Sequence, residues 1–160
     1  MEDLLVHLEM VLSKQFSRSV SKIYFGDIGV YLPEAFGSSR KEQKAVIALS
    51  PSYNRPLEDQ RNAAAEYRIL GVDIITLVNI TPFFKANPEE AYGERMLVRL
   101  TTEIAQFLTQ EANVTLGGGV QHSKVGAIDW GWQTSDNQAL RGASINFEAR
   151  VRVDRQLLQR

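Results

Sequence analysis

The chain has 160 residues, 44% hydrophobic and 23% charged, with a formal net charge of −1 and no cysteine. That suits one globular domain over residues 1–160, long enough to bury its own core. It excludes disulfides, thiolate metal sites and cysteine nucleophiles, leaves too few apolar residues in a row for a bilayer span, and gives no global basic field for nucleic acid.

Leu4, Leu5, Leu8, Val11, Leu12 and Phe16 recur at spacings of three and four. They predict an amphipathic helix from about Glu2 to Phe16. The acidic start, Met-Glu-Asp-Leu-Leu, is unlike the basic start of a signal peptide. Lys22 to Phe25 reads as a short strand. Gly26-Asp27 and Gly29 mark a turn, and Val30, Tyr31 and Leu32 are the expected partner strand.

Residues 33–44 read as an exposed loop, with an apolar anchor at Phe36 and basic residues at Arg40 and Lys41. Ala45 to Leu49 is an apolar run of strand length. Ser50 to Pro56, with two prolines, is expected to break it. Leu57 to Glu66 is ambiguous between a helical turn and a loop. Residues 33–44 and 51–66 are thus two candidate arms, and long loops in a small domain tend to be functional.

Tyr67 to Ile80 is the longest strand candidate. Leu70, Val72, Ile74, Val78 and Ile80 fill one parity, while Ile69, Ile75 and Leu77 occupy the other. Apolar residues on both faces predict a central strand, or one whose second face another subunit covers. Asn87-Pro88-Glu89-Glu90 is a helix-start signal. The helix should run to about Glu111, burying Met96, Leu97, Leu100, Ile104, Phe107 and Leu108, with Asn113 as a stop.

Val114-Thr115-Leu116 reads as the start of a strand interrupted by Gly117-Gly118-Gly119. A looser alternation runs from Val120 to Trp132, and Thr134 to Asn137 is a turn. From Ser144 onward, Ile145, Phe147, Ala149, Val151 and Val153 alternate with Asn146, Glu148, Arg150 and Arg152. This period of two predicts a strand with one packed face, forming an antiparallel hairpin with the strand before it. The expected fold class is α+β: a central, mostly antiparallel sheet with two main helices on one face, a C-terminal β-hairpin and long loops.

The candidate chemistry is thin. The triple glycine lacks the Lys-Ser/Thr pair of a phosphate loop and does not open a helix. His122, Ser123 and Asp129 are close in sequence, but neighbours on a strand point to opposite faces, and no nucleophile elbow is present. His7 lies at the edge of a helix stripe and reads as packing. Glu58-Asp59 and Glu89-Glu90 are adjacent pairs that do not converge on one point. Trp130 and Trp132 share a parity with only Lys124 as a nearby cation, which favours core or subunit interface over a base-stacking platform. No catalytic, metal or cofactor site is predicted.

Charge is unevenly placed. Residues 141–160 carry five arginines against Glu148 and Asp154, a net of +3, which leaves −4 elsewhere. One reading is a solvated strand edge blunted by charge. The sharper one is a basic stripe that meets an acidic neighbour.

The element order resembles the tail-terminator and neck (tail-completion) proteins of long-tailed bacteriophages. The features that carry the resemblance are the helix Leu4–Phe16, the strand around Val72–Ile80 and the helix from Pro88. The ending adds Asp129-Trp130-Gly131, then Leu140-Arg141-Gly142-Ala143, then Ile145-Asn146-Phe147-Glu148-Ala149-Arg150-Val151. Most of the length is covered, by pattern and not by a signature motif.

The resemblance implies no catalytic residue and no cofactor. It implies a homohexameric ring at the tail–neck junction of the virion, assembled in the host cytoplasm. Such a ring ends tail polymerisation and offers a head-joining surface, with the tube protein, the neck or connector protein and, in a sheathed tail, the sheath as partners. DNA passes through without specific binding, and no membrane is involved. Candidate subunit contacts are Glu148, Arg150 and Arg152. Candidate contacts to other virion proteins are Tyr31, Phe36, Arg40 and Lys41. The competing expectations are a neck or head-closure adaptor, a small metabolic enzyme using His122 and Asp129, and a monomeric binding module using Trp130 and Trp132.

Overall fold

A computed structural model describes residues 1–27, 44–57, 65–79, 90–135 and 138–154. Helix α1 spans Glu2–Phe16 and buries Leu4, Leu5, Leu8, Leu12 and Phe16, the predicted stripe less Val11. Glu2 and Asp3 occupy its first turn, where negative charge favours the helix dipole. Helix α2 spans Glu90–Thr109 and buries Leu97, Leu100, Ile104 and Leu108. Asn113 terminates it as expected: its Nδ2 donates to the Phe107 carbonyl at 2.8 Å, satisfying an acceptor that the helix leaves open.

Among the described residues, five strands follow the chain order β1 (Val20–Phe25), β2 (Ala45–Pro56), β3 (Ala65–Asn79), β4 (His122–Ser135) and β5 (Gln138–Asp154). They form one sheet in the order β1-β2-β3-β5-β4. The β1–β2 pair is parallel and every other pair antiparallel. The fold class is therefore α+β with a mixed, mostly antiparallel sheet and a C-terminal hairpin.

Register divides the residues between two faces. Ala45, Ile47 and Leu49 of β2, Leu70, Val72, Ile74 and Val78 of β3, and Ala143, Ile145, Phe147 and Ala149 of β5 share one face. These join the apolar stripes of α1 and α2 in a single buried cluster. Each large side chain fully buried there contributes about 1.5–3 kcal/mol. The rings of Phe16 and Phe107 meet edge to face at 5.6 Å and fasten one helix to the other.

The structure changes the sequence reading at four points. First, β1 pairs in parallel with β2, a pairing the sequence reading did not give; its expected partner strand, residues 30–32, lies outside the described residues together with 33–43, 58–64 and 80–89. Second, Ser50–Pro56 continues β2 instead of breaking it, so the described part of the 51–66 arm is strand at both ends. Beyond Leu49, β2 has no partner on its outer side among the described residues, so the N–H missing at Pro51 or Pro56 costs no ladder bond there. A bulge at Ser52 shifts the register between Pro51 and Tyr53.

Third, Val114–Leu116 is not a strand. Two 3₁₀ turns, Glu111–Asn113 and Leu116–Gly118, carry the chain from α2 towards β4. Gly117 (φ 71°) and Gly118 (φ 93°) lie in the left-handed region that glycine enters freely. Gly119 packs flat against the His7 ring of α1, where a Cβ would collide with it. His7, half-buried as expected, donates from Nδ1 to the Asp3 carbonyl at 2.6 Å. The glycines thus build a turn and a close approach. Fourth, β5 is interior to the sheet from Leu140 to Arg150, flanked by β3 and β4, and among the described residues its stretch 151–154 has β3 alone beside it. The edge reading of the C-terminal strand does not hold.

Candidate interaction surface

The second face of the sheet has none of the α1 or α2 stripe against it. It carries Tyr24 of β1, Val46 and Ala48 of β2, then Tyr53 and Arg55 after the bulge. On β3 it carries Tyr67, Ile69, Gly71, Asp73, Ile75 and Leu77. On β5 it carries Gly142, Ser144, Asn146, Glu148, Arg150 and Arg152. Tyr24, Val46, Ala48 and Leu77 form a small buried cluster of their own, with Ile75 against it. Leu77 leans across Gly142, which has no Cβ to obstruct it. A hollow of about 270 Å³ opens beside it, lined by Ile75, Leu77, Asp129, Gly131, Gly142 and Ser144 among others. The glycine pair Gly131 and Gly142, directly opposite in register, is what leaves this space.

The other half of the face is charged. Glu148 is the hub, with its side chain 15% exposed. Lys124 Nζ lies 3.1 Å from its Oε1 and Arg55 Nη2 lies 3.7 Å from its Oε2. The Tyr53 hydroxyl is a third partner. Burial pushes the Glu148 carboxyl up, but hydrogen bonds from Lys124 and Tyr53, with the charges of Lys124 and Arg55, outweigh it. The result is a carboxylate held below its usual range. Tyr53 is shifted upward, by burial first and then by its bond to Glu148. Its ring lies over Gly71, where any side chain would collide with it.

Arg55 stacks over the Tyr53 ring, 5.7 Å from its centroid, and Arg150 over Tyr67 at 4.8 Å. Asn146 Nδ2 donates to Asp73 Oδ1 at 3.3 Å. A groove of about 190 Å³ runs between Arg55, Ile69, His122, Lys124, Glu148 and Arg150. This half of the face is thus an ordered basic surface with one carboxylate at its centre.

The three predicted subunit-contact residues all lie on this face. Arg150 and Arg152 are exposed, whereas Glu148 is committed to partners within the chain. Sequence reasoning missed Tyr53, Arg55, Tyr67 and Lys124, which come from three other strands. Only cross-strand register could have supplied them. The second candidate set, Tyr31, Phe36, Arg40 and Lys41, lies outside the described residues.

The residues weighed for catalysis do not converge. His122 pairs with Arg150 and Asp129 with Ser144, six residues apart along β5, so about 20 Å separates them. Ser123 is buried on the opposite face from His122, and its hydroxyl donates to the Val114 carbonyl at 2.8 Å. Trp130 is 43% exposed on the edge strand β4, so the core reading fails for it and the interface reading remains. Among the described residues, no group of three or more His, Asp or Glu side chains is placed to hold a metal ion. No helix among them is long and apolar enough to cross a membrane. No protein-family model matches the chain, and no curated protein matches it.

Proposed function

We propose that the protein is a structural ring-former of the tail–neck region of a long-tailed phage, with the tail-terminator role as the leading reading. The observation that carries this is the contrast between the two sheet faces. One is filled by both helices. The other presents an ordered basic surface and an apolar hollow side by side, on strands that a rigid core holds in place. A preformed face of that kind suits docking of another protein, since little ordering entropy remains to be lost on contact. In this reading Arg150 and Arg152 reach the neighbouring copy, and Glu148 holds Lys124 and Arg55 in position for it. Tyr31, Phe36, Arg40 and Lys41 meet the tube or the neck, and no cofactor takes part.

The test is electron microscopy of the purified chain with and without the tail-tube protein of the same virus. Rings at the ends of tubes of uniform length are expected. A protein that stays monomeric and leaves tube length uncontrolled would sink the proposal. Co-sedimentation with filled heads and not with tails would select the neck-adaptor alternative.

A further inference from the structure

Helix α1 buries one stripe and turns another outward. At 3.6 residues per turn, positions 2, 3, 6, 10 and 13 fall together on the side away from the buried leucines. A surface helix normally carries polar groups there. Here Val6 is 47% exposed and Met10, one turn on, is 58% exposed. Glu2 and Asp3 stand exposed one turn before Val6. Among the described residues, no ion pair holds either acid. The outer side of α1 is therefore acidic at its start and apolar in its middle.

The second face of the sheet offers the counterpart. In its groove Arg55, Lys124 and Arg150 surround Glu148, three positive charges to one negative. The Lys124 side chain is 64% exposed and that of Arg55 56%. The apolar hollow at Ile75, Leu77 and Gly142 lies further back along β5.

We propose that the outer side of α1 docks on the second sheet face of a second copy of this chain, with Val6 and Met10 towards the hollow and Glu2 and Asp3 on Lys124 and Arg150. This deepens the ring reading and rests on it for the closed form. The spacings agree. Glu2 to Met10 spans about 12 Å of helix. Along β5, Ser144 at the hollow lies about 13 Å from the row of Glu148 and Lys124. In this pose α1 runs antiparallel to β5, which brings Lys14, one turn past Met10, to Asp129 on the lining of the hollow. Opposite charges then meet at both ends of the contact. Helix α1 packs on the other face of its own sheet, so a chain cannot make this contact with itself. Because the two patches differ, the contact is head-to-tail, the kind that generates closed rings.

Two charge-reversed chains test the pairing in sedimentation velocity and native mass spectrometry. Glu2→Lys with Asp3→Lys reverses the helix, and Lys124→Glu with Arg150→Glu reverses the groove. Each should be folded by circular dichroism and associate about tenfold more weakly than the unsubstituted chain, since like charges then face one another. Mixed in equal amounts they should recover that association as alternating hetero-oligomers. In the mixture the reversed helix meets the reversed groove, and the unaltered helix meets the unaltered groove. Met10→Lys changes an exposed position that the fold does not use, and should weaken association as well.

A helix-reversed chain that associates like the unsubstituted one would overturn the inference. So would a mixture no stronger than its two components, or an unsubstituted chain that stays monomeric at every concentration. Rings on tube ends that persist in the helix-reversed chain and in Met10→Lys would remove this contact and leave the ring reading standing. Rescue by mixing, in a protein that never caps tail tubes, would keep the contact and remove the terminator reading.

Discussion

Glu148 shows how one residue organises a surface from three strands. Its carboxylate joins Lys124 of β4, Arg55 and Tyr53 of β2, and its own strand β5. Its folded-state pKa is depressed, so its contribution to stability is present above the unfolded value and is lost as pH falls through the folded one. Glu148→Gln should therefore lower the Tm at pH 7, and the gap to the unsubstituted protein should close as the pH drops below the usual carboxylate range. A gap that stayed constant down to pH 3 would contradict the assigned network. Thr76 and Thr101 are buried with hydroxyls that find no hydrogen-bond partner among the described residues. Thr76→Val should stabilise the fold by about 1 kcal/mol in urea denaturation, because an unpaired buried hydroxyl costs about that much or more.

At the scale of elements, the two helices were readable because period and burial agree along each of them. The α1 stripe is buried almost as its spacing predicts, since a helix repeats every 3.6 residues whatever it packs against. Ser50–Pro56 was misread because proline was weighed without knowing which side of the strand lacked a neighbour. Val114–Leu116 was misread because β-branched residues were given more weight than the glycines after them, which take positive φ. The joint between α1 and α2 at Phe16 and Phe107 should be sensitive. Phe16→Ala is expected to cost about 3–5 kcal/mol, read as a lower urea midpoint with an unchanged m-value.

At the scale of the molecule, the sheet has one face committed to the core and one that carries the basic groove. Charge reversal at both exposed arginines, Arg150→Glu with Arg152→Glu, should leave the circular dichroism spectrum unchanged. It should weaken self-association by about tenfold or more, since like charges at a contact cost several kcal/mol. Equal association by both proteins in sedimentation velocity would remove these arginines from the subunit contact. Because screening falls on exposed charges first, association of the unsubstituted chain should also decline from about 0.05 to about 0.5 M salt.

By itself the sequence determined the α+β class, both helix stripes, the position of β3 within the sheet, and the alternation that aims Glu148, Arg150 and Arg152 away from the helices. These are local periodicities, and the backbone geometry of helix and strand imposes them before any long-range contact forms. Tertiary structure alone decided that β5 is interior, that β1 pairs in parallel with β2, and that Glu148 meets residues ninety-five positions earlier in the chain, at Tyr53. Strand order and register depend on which non-local pairing buries the most apolar surface with its ladder complete, and no window of neighbouring residues carries that information.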